Sequence, residues 1–328
     1  MSSSTTPPHA CGPACTHEHQ RQGPQHIYVY SPSGAVRDKA AFKRGIARLR
    51  ALGHGVEIDP SALQSHQRFA GDDATRLAAI ERAARSGADV ALIARGGYGL
   101  TRLLDQIDYR LLEHAVAQGT QFVGLSDFTA LQLALLAQTG TTTWAGPALL
   151  GDLGRPEEPD DIMLACLDDL LAGQGEGAGW CCPKEKSLPE GQDIYVDDAT
   201  LWGGNLAMLC ALVGTPYLPP VQGGVLFLED VAEHPYRIER MLTQLLYAGI
   251  LGQQKAIVLG QFTDYQLSGH DKGFKLASVV DWLRSRLAVP VVCGLPFGHV
   301  PTKVLLPVGA RVSLSVEGRD ALIYWGHI

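Results

Sequence analysis

Ser126, Glu229 and His299 are residues of the types that hydrolyse amides by acyl transfer. A serine hydroxyl is a weak nucleophile at neutral pH and needs a base, usually histidine, which a carboxylate must orient. Ser126 lies in QFVGLSDFTALQLALLAQTG (residues 121–140), where the apolar run Phe122-Val123-Gly124-Leu125 stops at Ser126-Asp127 and good helix formers follow as far as Gly140. That reads as strand, sharp turn, helix. Two uses of the serine fit. It can cap the free N–H groups of the first helical turn, or it can stand on a tight elbow with its hydroxyl exposed and a helix N-terminus behind it, where backbone N–H groups await an oxyanion. The local sequence leaves both open.

The choice of base comes from a survey of the eleven histidines. His9, His17, His19 and His26 lie in or beside the N-terminal tail and His327 at the C-terminal end; His54, His66 and His114 fall in helix ends or polar loops. His270 sits in the loop-like LSGHDKG, and His234 precedes Pro235 at a helix start. His299, in GLPFGHVPTKVLLPVG, is framed by Gly298 and Pro301 directly after an apolar strand, where a stiff backbone can hold an imidazole in place. For the acid, Val225 to Leu228 form an apolar run that ends in Glu229-Asp230. A carboxylate at the end of a buried strand is costly unless paired or hydrogen-bonded. Capping of the next helix accounts for one of these two acids more comfortably than for both.

These side chains need a frame. HIYVY (26–30), GVEID (55–59), ADVALIA (88–94) and residues 121–125 read as short strands, separated by helical stretches at 38–52 and within GDDATRLAAIERAARSG. Strands alternating with helices over the first 150 residues indicate an open parallel sheet wrapped by helices, a Rossmann-like (flavodoxin-like) α/β fold. Ligands bind such sheets at the carboxyl ends of the strands, which is where ARGGYG (94–99) and GLSD (124–127) fall. The expected organisation is a tail at 1–25, a nucleophile domain at 26–152, a linker at 153–192 and a β-rich, barrel-like C-terminal domain at 193–328 carrying the acid and base. In that last part AIVLGQF, VPVVCGL, KVLLPVG and RVSLSV read as strands, with helices at 203–213, 235–249 and 276–287.

Composition narrows the class. A chain of 328 residues with 46% hydrophobic and 19% charged residues has the balance of a globular protein with room for two domains. Its net charge of −7 provides no basic excess to displace counterions from phosphates, so a nucleic-acid partner is not expected. The N-terminal stretch has neither a cationic start nor an apolar core, and the least polar region, 201–228, is broken by Gly203-Gly204-Asn205 and Pro219-Pro220; a secretory signal, a membrane span and a membrane partner are therefore not expected, and the cytoplasm is the expected compartment. Seven cysteines spread thinly over such a chain read as reduced thiols, with Cys166, Cys210 and Cys293 in core-like settings. His9, Cys11, Cys15, His17 and His19 crowd together in the tail. Soft ligands so close could hold zinc or copper, but the Ser-, Thr-, Pro- and Gln-rich surroundings give nothing to fold around a site, and a disordered tail is expected.

SPSG (31–34), ARGGYG (94–99), GLSDFTAL (124–131), WGGNLAML (202–209), LFLEDVAEHPYRIERML (226–242) and GHVPTKVLLPVG (298–309) follow one another in the order and rough spacing of the LD-carboxypeptidase family. The chain resembles that family from about residue 26 to 320. These are serine peptidases that include murein tetrapeptide carboxypeptidases and microcin C self-immunity peptidases. The resemblance implies a Rossmann-like N-terminal domain, a β-rich C-terminal domain and a site between them. It implies Ser126 as nucleophile, His299 as general base, Glu229 as the residue that orients His299, and an oxyanion hole made by the backbone N–H groups of Gly97 (or Gly96) and Asp127. The implied substrate is a small muropeptide from which a terminal D-alanine is released, with no metal or other cofactor, by a homodimer.

Releasing a terminal residue demands recognition of a free carboxylate. Arg95, beside the glycines, could supply a bidentate partner or could equally brace the fold through a buried pair. An alternative within the family is cleavage of aminoacyl or peptidyl nucleotide analogues. That would need an aromatic platform for the base, for which Trp180 is a candidate, although such a tryptophan more often packs a loop. A non-catalytic peptide-binding protein, with Ser126 a plain cap, is the alternative of a different class.

Overall fold

In the computed structural model, residues 23–186 and 192–328 are described. The tail cluster His9, Cys11, Cys15, His17 and His19, in the segment expected to be disordered, lies outside the described residues. The chain runs β1 (His26–Tyr30), α1 (Lys39–Ala51), β2 (Gly55–Ile58), α2 (Asp73–Arg85), β3 (Val90–Ile93), α3 (Tyr109–Ala117), β4 (Gln121–Gly124), α4 (Thr129–Thr139) and β5 (Thr143–Ala145). It continues with α5 (Asp161–Ala172), β6 (Gly177–Cys181), β7 (Ile194–Asn205), α6 (Leu206–Ala211), β8 (Val225–Val231), α7 (Pro235–Tyr247), β9 (Ala256–Thr263) and α8 (Leu276–Arg286). The last strands are β10 (Val291–Cys293), β11 (Leu306–Val308), β12 (Arg311–Glu317) and β13 (Asp320–Tyr324).

The first sheet has the order β11-β5-β4-β3-β1-β2, with β1 to β5 parallel and β11 antiparallel to β5. The chain moves outward from β1 in both directions, first to β2 and then to β3, so the crevice where ligands bind such sheets opens beyond β1 and β3. Local chemistry explains why the helices begin where they do. Asp38, Asp72 and Asp108 cap α1, α2 and α3 by accepting the N–H groups of Ala41, Thr75 and Leu111, and α4 stops at Gly140 in a left-handed conformation (φ +75°). Its first seven residues, Thr129 to Leu135, are all buried. A helix buried all round must have partners on every side, and α4 packs against α3, α6, β5, β7 and β11.

The second sheet is mixed, in the order β10-β9-β8-β7-β12-β13-β6. β7 serves both halves of it. Its first residues alternate buried and exposed and pair antiparallel with β12, whereas its last five are all buried and pair parallel with β8. A strand covered on one face alternates and a strand covered on both does not. The helix expected at 203–213 therefore begins later: Trp202-Gly203-Gly204-Asn205 completes β7, and only Leu206–Ala211 is helical. The reason lies at Gly203, where a Cβ would meet the Phe227 carbonyl oxygen of β8 at 1.9 Å, an approach that glycine permits. The segment read as a linker supplies α5 and the edge strand β6, and the distant β11 completes the first sheet. Among the described residues no helix is long and apolar enough to cross a membrane.

Candidate active site

Ser126 stands at the carboxyl end of β4 with φ +67°, a left-handed backbone that a residue bearing a Cβ adopts at a cost. A short 3-10 turn, Ser126–Phe128, leads from it into α4, and no side-chain cap hydrogen bond is made at the start of either the turn or the helix. The capping use is therefore not the one realised: Ser126 sits on a strained elbow with its side chain half-exposed.

The glycines of 94–99 explain how the elbow is approached. A Cβ on Gly96 would lie 2.7 Å from Ser126 Cβ and 2.9 Å from Oγ, so the Gly96 backbone rests directly against the serine side chain. Gly97 holds φ +87°. Neither the Gly97 nor the Asp127 N–H is spent on a turn or loop hydrogen bond among the described residues. Asp127 is the acidic residue of the first turn after the elbow. It is buried, accepts the Leu100 N–H at 2.9 Å, and so ties the elbow to the glycine loop from beneath. Burial pushes its carboxyl above the usual range, against the pull of the N–H groups it accepts. Arg76, with no exposed surface, donates to the carbonyls of Gly99 (2.9 Å) and Pro32 (3.3 Å) and holds the same loop from the other side.

Ser126 and His299 line one cavity of about 370 Å³, together with Arg95, Gly96, Gly97, Asp152, Arg155 and Lys303. His299 Nδ1 lies 2.8 Å from Glu229 Oε2. Glu229, on β8, is wholly buried, and its Oε1 accepts from Asn205 Nδ2 at 3.1 Å. Asn205 is its register partner at the end of β7. The second hydrogen of the same amide goes to Asp230 Oδ1 at 3.0 Å. A register shift in the pairing of β8 with β9, between Leu228 and Asp230, breaks the strict alternation that would send neighbouring side chains to opposite faces. Glycines leave room for Glu229: a Cβ on Gly298 would come 3.2 Å from its Cβ and 3.2 Å from its Oε2.

The electrostatics follow from these contacts. Burial lowers the His299 pKa, but the Glu229 hydrogen bond and charge outweigh it, with Lys303 opposing and Asp230 assisting, so the net shift is upward. Asp230 is pushed up to about 6 by burial and by the Glu229 charge, against the hydrogen bonds from the Val231 N–H, Asn205 and the Ala207 N–H. One further contact joins the second sheet to the helix behind the elbow: the Asn205 N–H donates to Thr129 Oγ1 at 3.0 Å, on the first residue of α4.

Of the residues singled out from the sequence, Ser126, Gly97 and His299 line the cavity, and Glu229 lies behind His299. The sequence reading did not single out Lys303 and Asp152, a buried ion pair at 2.5 Å on the cavity wall, nor Asn205, although the quoted motifs contained both Lys303 and Asn205. A lone lysine four residues after a histidine carries no pattern of its own. Trp180 donates its indole N–H to the Cys293 carbonyl at 3.1 Å and is not part of the cavity lining, which among the described residues contains no Phe, Tyr or Trp. The described residues contain no group of three or more His, Cys, Asp or Glu arranged to hold a metal ion.

Comparison with known proteins identifies the family of this chain. A family model described as the LD-carboxypeptidase N-terminal domain matches residues 27–146, and one described as the LD-carboxypeptidase C-terminal domain matches residues 198–314. A murein tetrapeptide carboxypeptidase of Pseudomonas aeruginosa is 32% identical over 231 residues, 67% of this chain and 70% of that protein. The crystal structure of a muramoyltetrapeptide carboxypeptidase from Oxalobacter formigenes superposes with a TM-score of 0.81 at 38% identity, covering 92% of this chain and 98% of that one. The microcin C7 self-immunity protein MccF in complex with aspartyl sulfamoyl adenosine shares the fold, with a TM-score of 0.81 at 21% identity over 94% of this chain and 98% of that one.

Proposed function

The chain belongs to the LD-carboxypeptidase family and is a carboxypeptidase, and from that premise we propose that it releases the terminal D-alanine of a murein tetrapeptide through Ser126, His299 and Glu229. The observation that carries the reading is the left-handed Ser126 elbow in the same cavity as His299, whose far ring nitrogen is engaged by buried Glu229.

In the proposed reaction, His299 Nε2 accepts the Ser126 proton as Oγ attacks the scissile carbonyl. Glu229 holds the proton on Nδ1, fixing the tautomer and favouring the imidazolium that forms. The oxyanion is met by the N–H groups of Gly97 and Asp127, both fixed before substrate arrives. The imidazolium then protonates the departing amine, and water, activated by the same imidazole, releases the acyl group.

Its proposed setting is the cytoplasm, as a homodimer acting on small wall-derived peptides. Free thiols at Cys166, Cys181, Cys182, Cys210 and Cys293 fit a reducing compartment, and sedimentation at several protein concentrations tests the dimer. Mass spectrometry of products from defined muropeptides tests the reaction. D-alanine should appear from the tetrapeptide and from neither the tripeptide nor the amidated tetrapeptide. A fluorophosphonate should label Ser126. Absence of both results would leave a peptide-binding protein as the better account.

A further inference from the structure

Arg95 is a half-buried cation on the cavity wall that, unlike Arg76, Arg82 and Arg102, belongs to no ion pair among the described residues. Burying a charge without a partner is costly, so its retention calls for a reason. The guanidinium is held in a slot. Nη1 donates to the Ala35 carbonyl at 3.0 Å, a Cβ on Gly34 would come 3.3 Å from Nη1, and one on Gly97 would come 3.1 Å from Nη2. Two glycines thus make room for it, and one fixed hydrogen bond leaves its other N–H groups free. Arg155, the other half-buried cation of the wall, instead has Glu157 at 3.6 Å.

Building on the peptidase reading above, we propose that Arg95 is the receptor for the C-terminal carboxylate of the substrate. Arg95 directly precedes the Gly96 that rests on Ser126 and the Gly97 assigned to the oxyanion. The guanidinium therefore stands close to the reacting carbonyl, and a terminal carboxylate lies one residue beyond that carbonyl, a step of about 3.8 Å between successive Cα atoms. A planar guanidinium matches a carboxylate with two parallel hydrogen bonds. An internal peptide would offer a neutral amide at the same place and leave the charge unsatisfied, which makes the site an exopeptidase site. Burial, Arg37 and Arg68 all disfavour the bare cation, and the charge of an incoming anion compensates that cost.

The test uses the full chain carrying Ser126→Ala, so that peptides bind without turnover. Calorimetry compares a tetrapeptide ending in free D-alanine with the same peptide as its C-terminal amide. The acid should bind on the order of 10- to 100-fold more tightly, the range of a charge-assisted hydrogen bond. Adding Arg95→Gln, which can still donate to the Ala35 carbonyl, should bring that ratio close to one by weakening the acid alone. An unchanged ratio in Arg95→Gln, or no discrimination in the parent, overturns the proposal. If Arg95→Gln does not fold, Arg95→Lys takes its place: loss of the fork should lower the ratio severalfold, and an unchanged ratio again overturns it. Should the Ser126-containing chain release nothing from the acid while the binding ratio holds, the hydrolytic reading falls and the receptor stands.

Discussion

His299 Nδ1 lies 2.8 Å from Oε2 of Glu229, a carboxylate with no exposed surface whose other oxygen accepts from Asn205. A buried charge held by two partners is placed rather than tolerated, since each contact fixes one oxygen and together they fix the plane into which the imidazole must turn.

Glu229→Gln removes the charge and keeps the shape. The kcat/KM should fall roughly 10²- to 10⁴-fold, since the tautomer and the imidazolium both lose support. The pH profile carries the sharper sign. His299 has its pKa raised above 6.5 by Glu229, so a base that must be neutral gives an acidic limb above pH 6.5 in the parent. In Glu229→Gln, burial and Lys303 are left unopposed by that charge, and the limb should move to lower pH. The same linkage acts on stability: the His299 contribution is fully present below pH 6.5 and is lost as pH rises through the raised value. An unmoved limb would mean that Glu229 does not govern the imidazole.

Ser126→Gly separates strain from chemistry. The residue holds φ +67°, where a side chain costs about 1–2 kcal/mol and glycine pays little. Turnover should drop by several orders of magnitude with the nucleophile gone. Thermal stability should nevertheless rise, by about 1 kcal/mol, whereas Ser126→Ala, which keeps the Cβ, should be inactive without that gain. Equal melting temperatures for the two variants would show that the elbow stores no strain.

How far the site was legible in the sequence depended on whether a residue announced itself through its neighbours. Ser126 did, because an apolar strand and a helix met there, and His299 did, because Gly298 and Pro301 stiffened its surroundings. The parallel sheet of the first half was readable from uninterrupted apolar strands such as β3, buried at all four positions. Where β7 ends was not, since Gly203 and Gly204 are held in the strand by the close approach of β8, a tertiary contact that the local sequence does not announce. Neither was β6: GAGWC follows a glycine-rich turn and becomes a strand only because β13 lies beside it. The Asp152–Lys303 pair joins residues 151 positions apart, a match that no local pattern announces.

Gly96→Ala tests how closely the glycine loop must approach. The added methyl would sit 2.7 Å from Ser126 Cβ and 2.9 Å from its hydroxyl oxygen, so either the elbow or the loop must shift. A displacement of about 1 Å at a reacting atom costs on the order of 100-fold. The expected result is a loss of that size in kcat and a matching fall in the rate of fluorophosphonate labelling, while the protein still folds. Full labelling speed in Gly96→Ala would place the approach away from the nucleophile.

Lys303 and Asp152 form the remaining lever on the histidine. They are 2% and 4% exposed with 2.5 Å between Nζ and Oδ1, and Asp152 Oδ2 also accepts the Ala148 N–H at 2.8 Å. Lys303→Met alone strands a buried carboxylate and should cost about 3–5 kcal/mol in denaturant unfolding. In Lys303→Met with Asp152→Asn, the asparagine carbonyl can still accept from Ala148 and no charge is left uncompensated, so most of that loss should be recovered. The double variant has a second signature. Lys303 holds the His299 pKa down by its charge, so its removal should carry the acidic limb of kcat/KM to higher pH, opposite to the shift expected for Glu229→Gln. Movement of both limbs in the same direction would be incompatible with an imidazole set between a carboxylate on one side and an ammonium on the other.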